Sequence, residues 1–350
     1  MFTSLFDYLL PKELIAQESI QPRDHSRLMI FDRRSGSLKH RHFFDLPKFL
    51  RPGDLLVFND TKVFKARLLG AIRTSANTGE PRGRDAEIFL LRPTSGNNWE
   101  ALGRPGKILS IGTRVEFTKK FWCEVTEKFS DGRLLVKFPM ASERVIALAN
   151  RVGHIPVPPY IKTEPQNFEE YQTIFAKRVG SVAAPTASFH FTKHLLRQLK
   201  SLGVKTTTIT LHVGVGTFRP VKAEKIEDHT MHSEWVQIDA AAAQKIRAAK
   251  KKGRRVIAVG TTAVRALEGV AQKNGSVKKF SGDINIFITP AFQFQIIDGL
   301  ITNFHLPKST LLMLVAAFVG RQTILAAYKK AIAKKYRFFS FGDAMFIASP

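Results

Sequence analysis

The chain has 350 residues, with 54 Lys and Arg against 29 Asp and Glu, a formal net charge of +25. Its 44% hydrophobic and 10% aromatic content excludes a disordered chain, and its basic excess calls for a polyanionic partner, nucleic acid before an anionic membrane. Cys123 is the only cysteine, which excludes an intrachain disulfide and a thiolate-rich zinc site; the ten histidines show no short metal-ligand spacing, so no metal is expected.

The N-terminus has no basic leader, carries Asp7 and meets Pro11 early, so no signal peptide is expected and the cytoplasm is the expected compartment. Leu28–Asp32 reads as a strand, and Arg33–Gly36 as a turn. Asp45–Leu50 reads as a short helix capped by Asp45, ending before Pro52. Leu55–Phe58 is a buried strand running into Asn59, Asp60 and Thr61.

From Val63 to about Phe138 the pattern changes to short alternating runs separated by turn residues. Such spacing predicts a small antiparallel sheet or barrel, with Cys123 as a buried strand residue. Thr74–Asp85 is a polar excursion within it, either a basic loop touching RNA or a passive insertion.

Beyond Ser142, helices and strands alternate. Helices are expected over Ser142–Asn150, Phe191–Leu202, from Asp239 as cap to Gly253, from Thr261, and as one long element from Ser309 to about Lys335. Strands are expected at Thr206–Val213, Glu234–Ile238, Arg255–Gly260 and Ile284–Ile288. The longest apolar run, Leu311–Gly320, is about half of the ~20 residues that a spanning helix needs. The alternation predicts an α/β fold, a mainly parallel sheet flanked by helices. The small antiparallel β-barrel would be an insertion at residues 63–149, inside a discontinuous catalytic domain of residues 1–62 and 150–350.

Several stretches fit packing alone poorly. Gly180–Thr192, GSVAAPTASFHFT, has no formal charge in a chain of this basicity. Its small residues admit a flat ligand close to the backbone, and His190 between two phenylalanines is either a core residue or a site-lining base. His212, with Gly214, Gly216 and Thr217, ends a strand, where a tight turn and a ligand site are alternatives. Thr261 and Thr262 open a helix after a strand, which suits simple capping or a bound carboxylate. Asn59–Thr61, His305 in TNFHLPKST and Asp343 on a glycine turn complete the set. Basic residues cluster around Lys193 and Arg197, Lys245–Arg255 and Lys329–Arg337, which favours phosphate contact.

The motifs LRPGDLLVFNDTKVFKARL, YQTIFAKRVGSVAAPTASFHFT, TLHVGVGTFRPV, RVIAVGTTAVRALE, TNFHLPKSTLLMLVAAF and YRFFSFGDAMFI occur in order. Together they resemble the S-adenosylmethionine:tRNA ribosyltransferase-isomerase family of queuosine biosynthesis. Ser188-Phe189 stands where that family usually has Gly-Leu, Val215 where it has Ala, and Phe341 where Tyr is common. The resemblance implies an enzyme that moves the ribosyl part of S-adenosylmethionine, its cosubstrate, onto the aminomethyl nitrogen of 7-aminomethyl-7-deazaguanine in tRNA. Isomerisation then gives epoxyqueuosine, with adenine and methionine released. The fold it implies is an α/β domain carrying an inserted barrel.

On that reading His190, His212 and His305 are acid/base or orienting groups, with Asp60 and Asp343 as further candidates. Asn59, Thr61, Ser181, Ala184, Thr186, Gly214, Gly216, Thr217, Thr261, Thr262 and Asn303 would contact S-adenosylmethionine or the modified base, Thr261 and Thr262 taking the methionine carboxylate. Arg104, Lys107, Lys193, Arg197, Lys251 and Arg254 would hold the tRNA anticodon stem-loop. A monomer without membrane contact is expected, although no residue pattern gives the oligomeric state. An S-adenosylmethionine-dependent RNA methyltransferase and a non-catalytic RNA-binding protein are the competing readings.

Overall fold

A computed structural model describes residues 1–73, 84–214 and 221–348. In chain order the first strands are β1 (Arg27–Asp32), β2 (Leu38–His42), β3 (Leu55–Asn59) and β4 (Thr61–Val63). Then follow β5 (Arg67–Arg73), β6 (Asp85–Pro93), β7 (Asn98–Arg104), β8 (Arg114–Thr118), β9 (Phe121–Lys128), β10 (Arg133–Lys137) and helix α1 (Ser142–Val152). The next elements are β11 (Arg178–Ser181), α2 (Lys193–Ser201), β12 (Lys205–Leu211), β13 (Glu234–Ile238), α3 (Ala240–Lys251), β14 (Val256–Val259) and α4 (Thr261–Asn274). The chain closes with β15 (Phe280–Ile284), β16 (Gly299–Asn303), α5 (Thr310–Val319), α6 (Arg321–Ala333) and β17 (Ala344–Ala348).

Among the described residues a nine-stranded sheet has the order β15-β13-β12-β3-β14-β16-β17-β1-β2. Its centre, β12 through β16, is parallel. β17 lies antiparallel to β16 but parallel to β1, and both margins are antiparallel, so the sheet as a whole is mixed. The central strands are near-continuous apolar runs because both faces are covered. Alternate residues of β3 show this: Leu55 and Val57 face the core under α3 to α6, while Leu56 and Phe58 face the core under α2.

Strands β5 to β10 close into a separate six-stranded antiparallel barrel. Their burial alternates, as in β10, because one face fills the barrel and the other meets solvent. Val145 and Ala149 of α1 join the barrel core, which includes the buried Cys123. The barrel touches the sheet through Arg92 and Asp283 of β15 at 3.2 Å.

Three local expectations are corrected. Residues Phe43–Phe49 form a 3-10 turn in which Asp45 caps from inside, accepting from His42 N–H and pairing with Lys48 Nζ at 2.6 Å; Pro47 lacks the N–H that an α-helical turn needs. The long C-terminal helix is two helices that turn by 112° at Gly320, whose φ of +93° suits glycine. The strand foreseen at Ile284–Ile288 lies at Phe280–Ile284, and Ile286 and Ile288 plug the core from a loop. Residues 74–83 of the polar excursion lie outside the described residues. No single described helix is long and apolar enough to cross a membrane.

Asp343 ties the first and last sheet strands together. Its Oδ1 accepts from Arg27 N–H and its Oδ2 from Arg337 N–H, both at 2.8 Å, with no side-chain exposure. Asp343→Asn replaces one acceptor by a donor facing a donor, and should lower unfolding free energy by about 2–3 kcal/mol. Denaturant unfolding measures this, and an unchanged midpoint would show that the clamp adds nothing net.

Candidate active site

An open cleft lies at the carboxyl ends of β14 and β16, where ligands gather in open α/β sheets. Ala184–Ala187, Gly260–Thr262, Thr302–Leu306 and Phe339–Ser340 line it, with Tyr160, Val213, Ser309 and Leu311. None of these carries a formal charge. The charge-free Gly180–Thr192 stretch therefore supplies one side of the cleft, its Thr186–His190 segment forming a buried 3-10 turn.

Helix α4 starts in this cleft. Gly260 holds φ +89° and ends β14, and no side chain caps the helix. Thr262 Oγ1 is buried without a hydrogen-bond partner. An uncapped helix start carries partial positive charge and free N–H groups, so this spot accepts a carboxylate or phosphate group.

His305 lines the cleft and bonds to Thr302 Oγ1 at 2.8 Å through Nε2. Its main chain is held from two sides: its N–H donates to the Tyr328 hydroxyl at 3.0 Å, and its carbonyl accepts from the Tyr8 hydroxyl. His190 stands behind the lining. Thr186 Oγ1 donates to Asn303 Oδ1, and Asn303 Nδ2 donates to His190 Nε2, both at 3.2 Å. His190 Nδ1 then donates to Ser26 Oγ at 2.7 Å. This chain of bonds fixes one neutral tautomer. His190 also borders a smaller recess with Arg23, Ser26 and Phe189. Burial pushes His190 and His305 down to about 3, with the Arg23 and Arg337 charges adding to the effect at His190.

Other foreseen residues are placed differently. His212 is not a lining residue: its ring stacks on Trp235 at 4.9 Å and its Nδ1 meets Thr61 Oγ1 at 2.8 Å. Burial, then Arg178, lowers its pKa to about 4. Asp60 accepts from Thr210 Oγ1 at 2.6 Å. Asn59 bonds both main-chain groups of Leu211 and the Thr61 N–H. Ser181 Oγ bridges Ala183 O and Val213 N–H. Burial pushes the Asp343 carboxyl above its ordinary value, against its two N–H donors. Gly214 donates to Glu234 Oε1 at 3.5 Å, and Gly216 and Thr217 lie outside the described residues.

Tyr160, Phe339 and Ser340 line the cleft although sequence reasoning missed them; Tyr160 Oη and Ser340 Oγ meet at 2.6 Å. Phe339 and Ser340 fall inside the YRFFSFGDAMFI motif, while nothing in the VPPY segment signals Tyr160. Of the basic residues, Lys193 opens α2 beside the cleft end, and Arg197 follows one turn on. Arg104 and Lys107 lie at the turn after β7 of the barrel. Lys251 and Arg254 sit at the other end of the sheet, where β3 and β14 begin, with Arg254 packed over Gly53. Among the described residues no three His, Cys, Asp or Glu side chains gather as a metal site.

A mixed α/β sheet with an inserted barrel and an uncharged cleft at its strand ends defines a protein built to take a small organic ligand at that end. The model of a family described as "Queuosine biosynthesis protein" matches residues 3–347. The chain belongs to that family. It is 51% identical to the S-adenosylmethionine:tRNA ribosyltransferase-isomerase of Heliobacterium modesticaldum, over 99% of this chain and all of that one. It is 50% identical to the protein of the same name in Caldanaerobacter subterraneus subsp. tengcongensis, with the same coverage. Among solved structures it resembles S-adenosylmethionine tRNA ribosyltransferase from Thermotoga maritima, with a TM-score of 0.57, 36% identity, and coverage of 98% of this chain and all of that one.

The two buried imidazoles make stability depend on pH. Their folded pKa values, about 3, lie below the ordinary 6.5. The unfolded chain therefore takes up these protons first, so their contribution is full above about pH 6.5 and is lost as pH falls toward the folded values. Each costs up to about 1.4 kcal/mol per pH unit in that window. Urea unfolding at pH 7, 6 and 5 should show this slope, and His305→Gln should flatten it; a parent with constant stability over the range would contradict the neutral assignment.

Proposed function

We propose that this chain transfers the ribosyl group of S-adenosylmethionine to a 7-aminomethyl-7-deazaguanine base in tRNA and isomerises it to epoxyqueuosine, releasing adenine and methionine. The observation that carries the reading is its full-length similarity, at 51% identity, to an enzyme of that name. The cleft suits the cosubstrate. No lysine or arginine lines it to repel a sulfonium, and the rings of Tyr160, Phe304 and Phe339 attract one. The methionine carboxylate fits the start of α4, with the hydroxyls of Thr261 and Thr262. The sulfonium acidifies the adjacent ribose carbon, so a group must accept that proton, and the departing adenine must gain one. We assign this exchange to His305, the imidazole on the cleft lining. His190 acts as a positioning residue through Asn303. Asp343 is held by two main-chain donors, and His212 and Asp60 are bonded to Thr61 and Thr210 away from the cleft lining, which fits structural roles better than catalytic ones.

We further read residues 63–149 as one inserted unit between 1–62 and 150–350, supported by its separate apolar core. The anticodon stem-loop is the RNA element that presents the base, the cytoplasm is the compartment, and the working unit is a monomer.

Mass spectrometry of the small products tests the chemistry. With tRNA carrying the aminomethyl base, adenine and methionine should appear; S-adenosylhomocysteine instead would turn the reading to methyl transfer, and no product to simple RNA binding. His305→Ala should lower kcat by about 10²–10⁴-fold, with folding checked by circular dichroism. Thr262→Val removes an unpartnered hydroxyl, so stability should hold or rise, while KM for S-adenosylmethionine increases about tenfold. An unchanged KM would move the carboxylate elsewhere.

A further inference from the structure

The sheet ends on one side in β2, an edge strand whose Lys39, Arg41 and His42 are exposed. Register places its far end beside the cleft: His42 pairs with Arg27, Leu28 with Ala344, and Ala344 with Asn303. The chain then turns through two phenylalanines that face opposite ways. Phe43 is fully buried and stacks on His190, with centroids 5.0 Å apart and planes at 27°. Phe44 is 42% exposed. It lies against two exposed imidazoles, parallel to His42 at 5.2 Å and edge-on to His25 at 5.1 Å.

Two residues back along the same strand, cations from distant parts of the chain gather near His40. His40 bonds Tyr336 Oη at 2.9 Å. Its pKa is lowered by burial, then by the charges of Lys334, Arg27, Lys330 and Arg41. The basic end of α6 thus reaches the sheet edge at His40 and Arg27, with Arg27 donating to Lys334 O at 2.6 Å and lying 3.8 Å over the Tyr336 ring. Nearby carboxylates offset little of this charge. Asp24 and Asp343 are buried, and Asp45 is paired with Lys48.

Exposed rings among cations are what a single-stranded nucleic acid needs, since bases stack on the rings and phosphates meet the charges. We infer that the tRNA docks on this face, with unpaired loop bases stacked on Phe44, His42 and His25 and its backbone along Lys39, Arg41 and Lys334. The inference rests on the proposed function and deepens it. It also ranks this face above Lys251 and Arg254, which lie a strand length away, about 20 Å, from the end where the cleft opens.

Anisotropy titration of a fluorescent anticodon stem-loop RNA tests the assignment, with turnover of modified tRNA measured in parallel. Phe44→Ala should weaken RNA binding about 5- to 100-fold and raise KM for tRNA, leaving KM for S-adenosylmethionine unchanged. The pair Lys39→Glu and Arg41→Glu should weaken binding and reduce the slope of log K against log salt by about 1 to 2. Lys251→Glu with Arg254→Glu should bind as the parent does. If the parent turns over tRNA normally, and the Lys251 and Arg254 reversal weakens binding while the other variants do not, this docking face is wrong and the proposed function stands. If the parent neither binds nor modifies tRNA, the proposed function itself fails. Lysine acetylation of the parent gives a readout that does not depend on any variant folding. Bound RNA should protect Lys39 and Lys334; protection confined to Lys251 and Lys252 would overturn the inference.

Discussion

Desolvation without formal charge is the constraint on which this site is built. The cleft lies within a chain of net charge +25, yet its lining has no ionised side chain. A lysine there would repel a sulfonium, and a carboxylate would need a buried partner. Excluding both leaves hydroxyls, amides, rings and imidazoles. Burial then keeps the imidazoles neutral, and neutral imidazoles need fixed partners for both nitrogens. The Thr186–Asn303–His190–Ser26 series meets that need for His190. The same logic explains why the aromatic neighbours of His190 point inward, while the charge is displaced to the exterior.

Much of this was legible in the sequence, for physical reasons. Strands buried on both faces, such as Leu55–Asn59 and Val256–Val259, appear as unbroken apolar runs, and the barrel strands alternate. The charge-free Gly180–Thr192 stretch could be read as a cleft wall because its small residues and lone imidazole set it apart from the equally uncharged run Ser309–Gly320, which is a core helix. What the sequence could not show was which way a side chain faces. His212, Asp60, Asn59 and Asp343 occupy short polar motifs much like those of His305 and Asn303, but they face main-chain groups or neighbouring side chains. Polar residues that clamp backbone and polar residues that meet ligand have the same composition. Strand β16, Gly299–Asn303, was missed because five residues ending in Thr-Asn offer no periodic signal. The break at Gly320 was missed because the helical pattern continues on both sides of it, and only the left-handed backbone interrupts it.

The two ends of the sheet divide the basic residues into classes that sequence clustering merges. Lys251 and Arg254 form part of a dense run, yet they gather where the parallel strands begin. Lys39 and Arg41 form no conspicuous run, but they flank His40, which meets the charges of Lys330 and Lys334 at the end of α6. Charge density along the chain reports helix faces and turns; charge density over a surface requires the topology.

The position of β17 has a consequence for how the enzyme is made. It is the last described strand, and it lies between β16 and β1 rather than at a margin. A ribosome delivers β1 and β2 about 300 residues before their sheet neighbour, so until then the hairpin is held only by its packing against Phe43–Phe49 and the His190 segment. A chain ending before Ala344 would leave β16 and β1 without the strand that joins them, and would remove one of the two walls against which their backbone groups pair.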